Sequence, residues 1–135
     1  MATIEWRNDF SVNIGSIDKQ HKAFINMFNE FVEAYQEGEA PDILYDTLKE
    51  MLDYLNNHFS EEESVMEKYG YPGLEEHRKE HMAFSGKTNE FIDDYFDGRQ
   101  DLDEKMLNYL SDWFIGHVMG TDMKYVPFFK DKGVS

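Results

Sequence analysis

The sequence contains no cysteine, and that absence removes disulfides, thiolate metal sites, iron–sulfur clusters and cysteine nucleophiles together. It also lacks any apolar run of about 18 residues, the least that a membrane-spanning helix needs. The opening stretch carries Glu5, Arg7 and Asp9 and has no apolar centre of the kind a signal peptide shows. A soluble, cytoplasmic protein is the expectation. Basic residues are few: 13 Lys and Arg stand against 28 Asp and Glu, a formal net charge of -15. So acidic a chain repels phosphate, which makes nucleic acid and anionic membrane surfaces poor partners. Most of the acidic residues read as a solvated outer face. There is no low-complexity tract and no interdomain linker, and 135 residues suit one domain spanning residues 1–135. What the chain has in quantity is aromatics, 16%, which implies a core of Phe and Tyr and sets disorder aside.

Punctuation divides the chain into an arm and four helical segments. Residues 1–15 read as an extended arm with Trp6, Phe10, Val12 and Ile14 apolar. Ser16 or Asp18 can cap a first helix over about 17–37, which Gly38 stops. Pro41 suits the first turn of a second, over about 41–69, which Gly70 ends. Pro72 opens a third, about 72–97, closed by Gly98, and Asp101 or Asp103 starts a fourth, about 101–119, ahead of a tail over 120–135. Short loops favour antiparallel neighbours, so the expected fold is all-α, an up-down-up-down four-helix bundle with an extended N-terminal arm.

Each segment carries an inward stripe with steps of three and four, the mark of packed helices. The first runs His21, Ile25, Phe28, Val32, Tyr35, and the second Leu44, Leu48, Met51, Leu55, His58, Glu62, Val65, Tyr69. The third runs Leu74, His77, His81, Phe84, Thr88, Phe91, Tyr95, and the fourth Met106, Leu110, Trp113, His117. All five histidines of the chain lie on these stripes. A lone histidine on an apolar face is ordinarily a hydrogen-bonded core residue. Five without a common partner would leave many buried donors and acceptors unpaired, at about 1–3 kcal/mol each. A metal centre satisfies them together. His58 and Glu62 are one helical turn apart, as are His77 and His81, and a buried Glu needs the charge a metal supplies. His117 and Asp122 are five apart, about 140° round an ideal helix, and meet only if the helix loosens or ends between them. Gly120 lies in that interval. Taken alone, Asp122 reads equally well as a surface cap.

The set His21 (within Ile17-Asp18-Lys19-Gln20-His21), His58, Glu62, His77, His81, His117 and Asp122 resembles the ligand pattern of the hemerythrin family, and of its bacterial members in particular. Trp6, Phe59, Met66, Tyr71-Pro72, Trp113 and Tyr125 agree as flanking residues. The resemblance implies a non-heme di-iron centre with a bridging oxo or hydroxo group and reversible binding of dioxygen for carriage or storage, without enzymatic turnover. It implies that His77, His81 and His117 saturate one iron, that His21 and His58 serve the other, and that Glu62 and Asp122 bridge. Two six-coordinate irons have twelve positions; five imidazoles, two bidentate bridges and one bridging oxygen fill eleven, leaving one for dioxygen. In the family, both ferrous ions are oxidised together and the bound gas becomes a hydroperoxide hydrogen-bonded to the bridge. Trp113, Phe114 and Val118 are the expected oxygen-pocket residues. Phe114 stands where most members have leucine, and Gly116 and Gly120 flank the last histidine; both departures bear on oxygen affinity and autoxidation.

Zinc prefers four ligands and would leave several of the seven unused, whereas nickel, cobalt or manganese fit the donors as such. The oxygen-activating ferritin-like bundles pair Glu with His three residues later. No such pair occurs: Asp18, Leu55, Leu74, Arg78 and Phe114 hold those positions. Two other functions remain in view. One is an oxygen- or redox-sensing domain of a signalling protein. The other is a di-iron enzyme acting on peroxide or nitric oxide, for which no general acid or base stands out beyond the ligands.

Overall fold

The computed structural model describes residues 3–134. Helix α1 spans Gly15–Gln36, α2 Ala40–Tyr54, α3 Ser60–Tyr69, α4 Leu74–Phe96, α5 Leu102–Trp113 and α6 Val126–Asp131. A π turn, Leu55–Phe59, joins α2 to α3 without a break in the rod. A longer π segment, Phe114–Thr121, and a 3-10 turn, Asp122–Tyr125, carry α5 into α6. The architecture is thus an all-α bundle of four rods: α1, α2–α3, α4 and α5–α6. An arm with one 3-10 turn, Asn8–Phe10, precedes it.

The rods end where side-chain-free residues let the backbone turn left-handed. Gly38, Gly70 and Gly98 sit at φ 75, 69 and 72, conformations that a Cβ would strain. Pro41 stands in the first turn of α2, whereas the start of α1 follows different chemistry from the one read in the sequence. Neither Ser16 nor Asp18 caps α1, which begins at Gly15 behind Ile14. The Asp18 carboxylate instead accepts from the Val12 backbone N–H at 2.8 Å and from the Ser11 hydroxyl, tying the arm to the first turn. Asp101 precedes α5 in a left-handed conformation and makes no capping bond. The arm is also held lower down, where Asn29 both accepts from Ile4 N–H and donates to Ile4 C=O.

Two apolar clusters fill the bundle. The larger contains Phe24, Phe28, Phe31, Met51, Phe84, Phe91, Leu110 and Phe114, and the smaller contains Ile17, Met66, Tyr125 and Phe129. Every rod passes from one cluster to the other through a polar residue: His21 between Ile17 and Phe24, Glu62 between Phe59 and Met66, His77 and His81 before Phe84, and Asp122 between Val118 and Tyr125. The bundle therefore has a polar layer between two dry ends. Helical backbone also runs beyond the expected end of the fourth helix, reaching Asp131, with Phe129 buried in the smaller cluster. Tyr35, placed on the first stripe, lies at the surface, 37% exposed.

Candidate metal centre

All seven candidate ligands lie in the polar layer and are buried, none more than 3% exposed. They form two groups that share a carboxylate: Glu62 with His77, His81 and His117, and Glu62 with His21, His58 and Asp122. In each group the nitrogen and oxygen atoms lie within 4.8 Å of one another. The two acids divide their oxygens between the groups. Glu62 Oε1 is 2.7 Å from His77 Nε2 and 3.0 Å from His81 Nε2, while Oε2 is 3.6 Å from His58 Nε2 and 4.0 Å from His21 Nε2. Asp122 Oδ1 lies 2.7 Å from His77 Nε2 and 3.0 Å from His117 Nε2, and its Oδ2 lies 3.0 Å from His21 Nε2.

The five-residue interval between His117 and Asp122 is resolved by the π segment. A π turn closes its hydrogen bonds five residues apart, so residues i and i+5 come round to one face. Single π turns inside helices occur mostly at functional sites, and here both of them contain a candidate ligand, His58 and His117.

Aromatic rings wall the layer. Phe59 stacks on His81 at 3.8 Å, Trp113 on His117 at 4.1 Å and Tyr54 on His58 at 4.6 Å. The Tyr125 hydroxyl donates to Glu62 Oε2 at 2.8 Å and fixes that carboxylate. Among the expected pocket residues, Trp113 thus packs on the three-histidine group. Phe114 stacks on Phe24, which meets Tyr54 above His58, and Val118 is fully buried in the larger cluster. A cavity of about 260 Å3 between α1 and α2, lined by Gln20, Phe24, Tyr54 and His58, reaches the edge of the two-histidine group.

Whether a metal fits can be judged from the donors themselves. His21 Nε2, His58 Nε2 and both Asp122 oxygens are buried and make no well-formed hydrogen bond. Stranding such atoms costs about 1–3 kcal/mol each, and cations placed among them remove the cost. The far side of three rings is correctly occupied: His58, His81 and His117 face Gln20, Glu63 and Glu80 through Nδ1, which leaves Nε2 free to ligate. The donor set fits two transition-metal ions.

Burial favours the neutral imidazole, and at His58 it prevails over the raising pull of Glu62, pushing the ring down to about 4. At His77 and His117 the close carboxylates of Asp122 and Glu62 outweigh burial and raise the rings to about 9 and about 10. Glu62 and Asp122 are held below the usual carboxyl range, against burial, by the histidines around them: His117, His77 and His81 at Glu62, and His117 and His21 at Asp122. Without metal, protonated His77 and His117 therefore face the two carboxylates, and metal binding must displace those protons. The raised rings lend stability that is complete below the ordinary histidine value of 6.5 and is lost as pH climbs through about 9 and about 10. His58 and the two carboxyls act in the opposite sense, since their contribution is lost on the acid side. Urea midpoints of the chelator-treated chain should accordingly be lower at pH 10 than at pH 7. The metal-loaded chain, whose imidazoles are already neutral, should show no such alkaline decline. Equal midpoints for the metal-free chain at the two pH values would contradict this charge balance.

Four residues beside the centre were not singled out in the sequence: Gln20, Tyr54, Glu63 and Glu80. Tyr54 carried a signal, since it lies one helical turn before His58.

Comparison with known proteins gives a concordant result. Residues 12–129 match the family model described as hemerythrin HHE cation binding domain. The chain is 32% identical over 126 residues to a bacteriohemerythrin of Pseudomonas aeruginosa, covering 93% of this chain and 81% of that one. A bacteriohemerythrin of Methylococcus capsulatus is 28% identical over 94% of this chain and 97% of its own, and the myohemerythrin of Riftia pachyptila is 28% identical over 89% and 88%. A crystal structure of a hemerythrin variant with a leucine-to-tyrosine substitution superposes with a TM-score of 0.79 at 27% identity, covering 94% of this chain and 97% of that one.

Proposed function

The chain belongs to the hemerythrin family, and from that premise we propose that it binds dioxygen reversibly at a non-heme di-iron centre, as a carrier or store rather than an enzyme. The observation that carries the reading is the division of oxygens: Glu62 and Asp122 each turn one oxygen toward His77, with His81 or His117 beside it, and the other toward His21. In this reading His77, His81 and His117 hold one ion, His21 and His58 hold the other, and the two carboxylates span the pair. Iron held by these residues would supply the electrons for reversible dioxygen binding.

The remaining residues position and dry the site. Tyr125 holds Glu62 in its spanning orientation through the 2.8 Å hydrogen bond. Phe59, Tyr54 and Trp113 stack on histidine rings and exclude water from their faces. Trp113, Phe114 and Val118 are assigned as the apolar lining of the oxygen pocket. Among the described residues the layer holds no buried carboxyl or imidazole beyond the seven candidate ligands, and so nitrogen-rich a site favours carriage over turnover.

The reading is tested first by metal content. Protein purified after growth with ample iron should hold two irons per chain, one for each histidine group, and its oxygenated form should show oxo-bridged di-iron absorption. One iron per chain, or chiefly zinc, would overturn it.

A further inference from the structure

Three side chains next to the centre follow one geometric rule. Consecutive helical residues are about 100° apart, so the neighbour of an inward-facing ligand points sideways, toward the adjacent rod. Gln20 adjoins His21, yet its Oε1 accepts from His58 Nδ1 at 2.5 Å. Glu63 adjoins Glu62, and its Oε2 accepts from His81 Nδ1 at 2.7 Å. Glu80 adjoins His81, and its Oε1 accepts from His117 Nδ1 at 3.0 Å. Each rod thus supports the histidine of the next, and the series stops at the fourth. There the residue before His117 is Gly116, with no side chain to offer, and His21 Nδ1 is buried without a partner.

The supports also differ in charge. Glu80 is held by the neutral Thr121 hydroxyl, which donates to both its oxygens. Glu63 shares its other oxygen with the Arg78 guanidinium at 3.1 Å. Gln20 is an uncharged amide whose Nε2 donates to Glu61, and this fixes its carbonyl toward His58. A carboxylate on Nδ1–H makes the opposite nitrogen a stronger donor to metal, and such outer partners change metal affinity by about 10–100-fold.

Building on the paired-centre reading, we propose that Glu80 and Glu63 are positioning residues that make the centre lopsided. They strengthen the three-histidine side, while the amide of Gln20 and the unsupported His21 leave the other side the weaker binder. The two ions of one pair then differ in how firmly they are held, and the supports set that difference without touching metal.

The test follows iron loss from the fully reduced, iron-loaded chain to a colorimetric ferrous chelator under nitrogen. Wild type should release its iron in two equal phases, the fast one from the two-histidine side. E80Q keeps the shape of the side chain and removes its charge, so it should speed the slow phase about tenfold and leave the fast phase alone. E63Q should do the same by a smaller factor, because Arg78 already offsets part of that charge. Q20E, in the opposite sense, should slow the fast phase. A single phase in wild type, or E80Q accelerating both phases equally or neither, would overturn the inference, since a variant that merely loosened the bundle speeds both. Protein that never holds two irons would overturn the paired-centre reading and this inference with it.

Discussion

Replacing Glu62 with alanine is expected to abolish the paired centre, leaving at most one metal ion per chain where the two histidine groups now share that carboxylate. Glu62 is wholly buried, and its two oxygens face different histidines. Its loss removes a donor from both groups at once and leaves the buried Tyr125 hydroxyl without its acceptor. Removing an imidazole is a smaller injury. His21→Ala strips one donor from the two-histidine group and leaves His77, His81, His117 and both carboxylates in place. Metal analysis of the two variants, prepared alongside wild type, separates these outcomes. If Glu62→Ala kept two irons and bound oxygen reversibly, its assignment as a bridge would be wrong.

Removing the metal from wild type is expected to have the next largest effect. Five imidazoles and two carboxylates then face one another in a layer closed by aromatic rings. His77 and His117, raised to about 9 and about 10 by the neighbouring carboxylates, then carry protons in place of the lost metal charge. An ion present at about a thousand times its dissociation constant adds about 4 kcal/mol to folding. For a domain of this size that is a shift in Tm on the order of 10 °C or more per ion. Calorimetry of loaded and chelator-treated protein measures it directly. Coincident transitions would mean that the apolar clusters hold the bundle without help from the polar layer.

The sequence carried the bundle and the chemistry of its centre because both are written in short-range spacing. Steps of three and four place His58 under Glu62 and His77 under His81 on any α-helix, whatever surrounds them. His117 and Asp122 show where that reasoning thins out. Their interval of five contradicts an α-helix, and Gly120 hinted only that the helix deforms; the π segment Phe114–Thr121 supplies the missing geometry. The same segment explains why helical backbone outlasts the expected end at residue 119. A π turn widens the helix without ending it, and Pro127 then fits the first turn of α6.

Other features depend on how rods meet, which spacing within one rod does not encode. Gln20, Glu63 and Glu80 look like ordinary surface residues beside a ligand, and their partners lie on neighbouring rods at sequence separations of 38, 18 and 37. The start of α1 was misread for a similar reason. Asp18 has the chemistry of a cap, but the returning arm offers it Val12 N–H and the Ser11 hydroxyl instead. Tyr35 follows the period of the first stripe and is still exposed, because it sits in the last turn of α1, where the core runs out.

If the two histidine groups form one centre, they take up one oxygen molecule between them. The most direct measurement is an anaerobic titration of the reduced, iron-loaded chain with dissolved oxygen, followed by evacuation. The titration should saturate at one dioxygen per two irons, with absorption that vanishes under vacuum, returns on re-exposure and leaves the gas chemically unchanged. Continued oxygen consumption, or release of peroxide or water in proportion to the oxygen supplied, would contradict it.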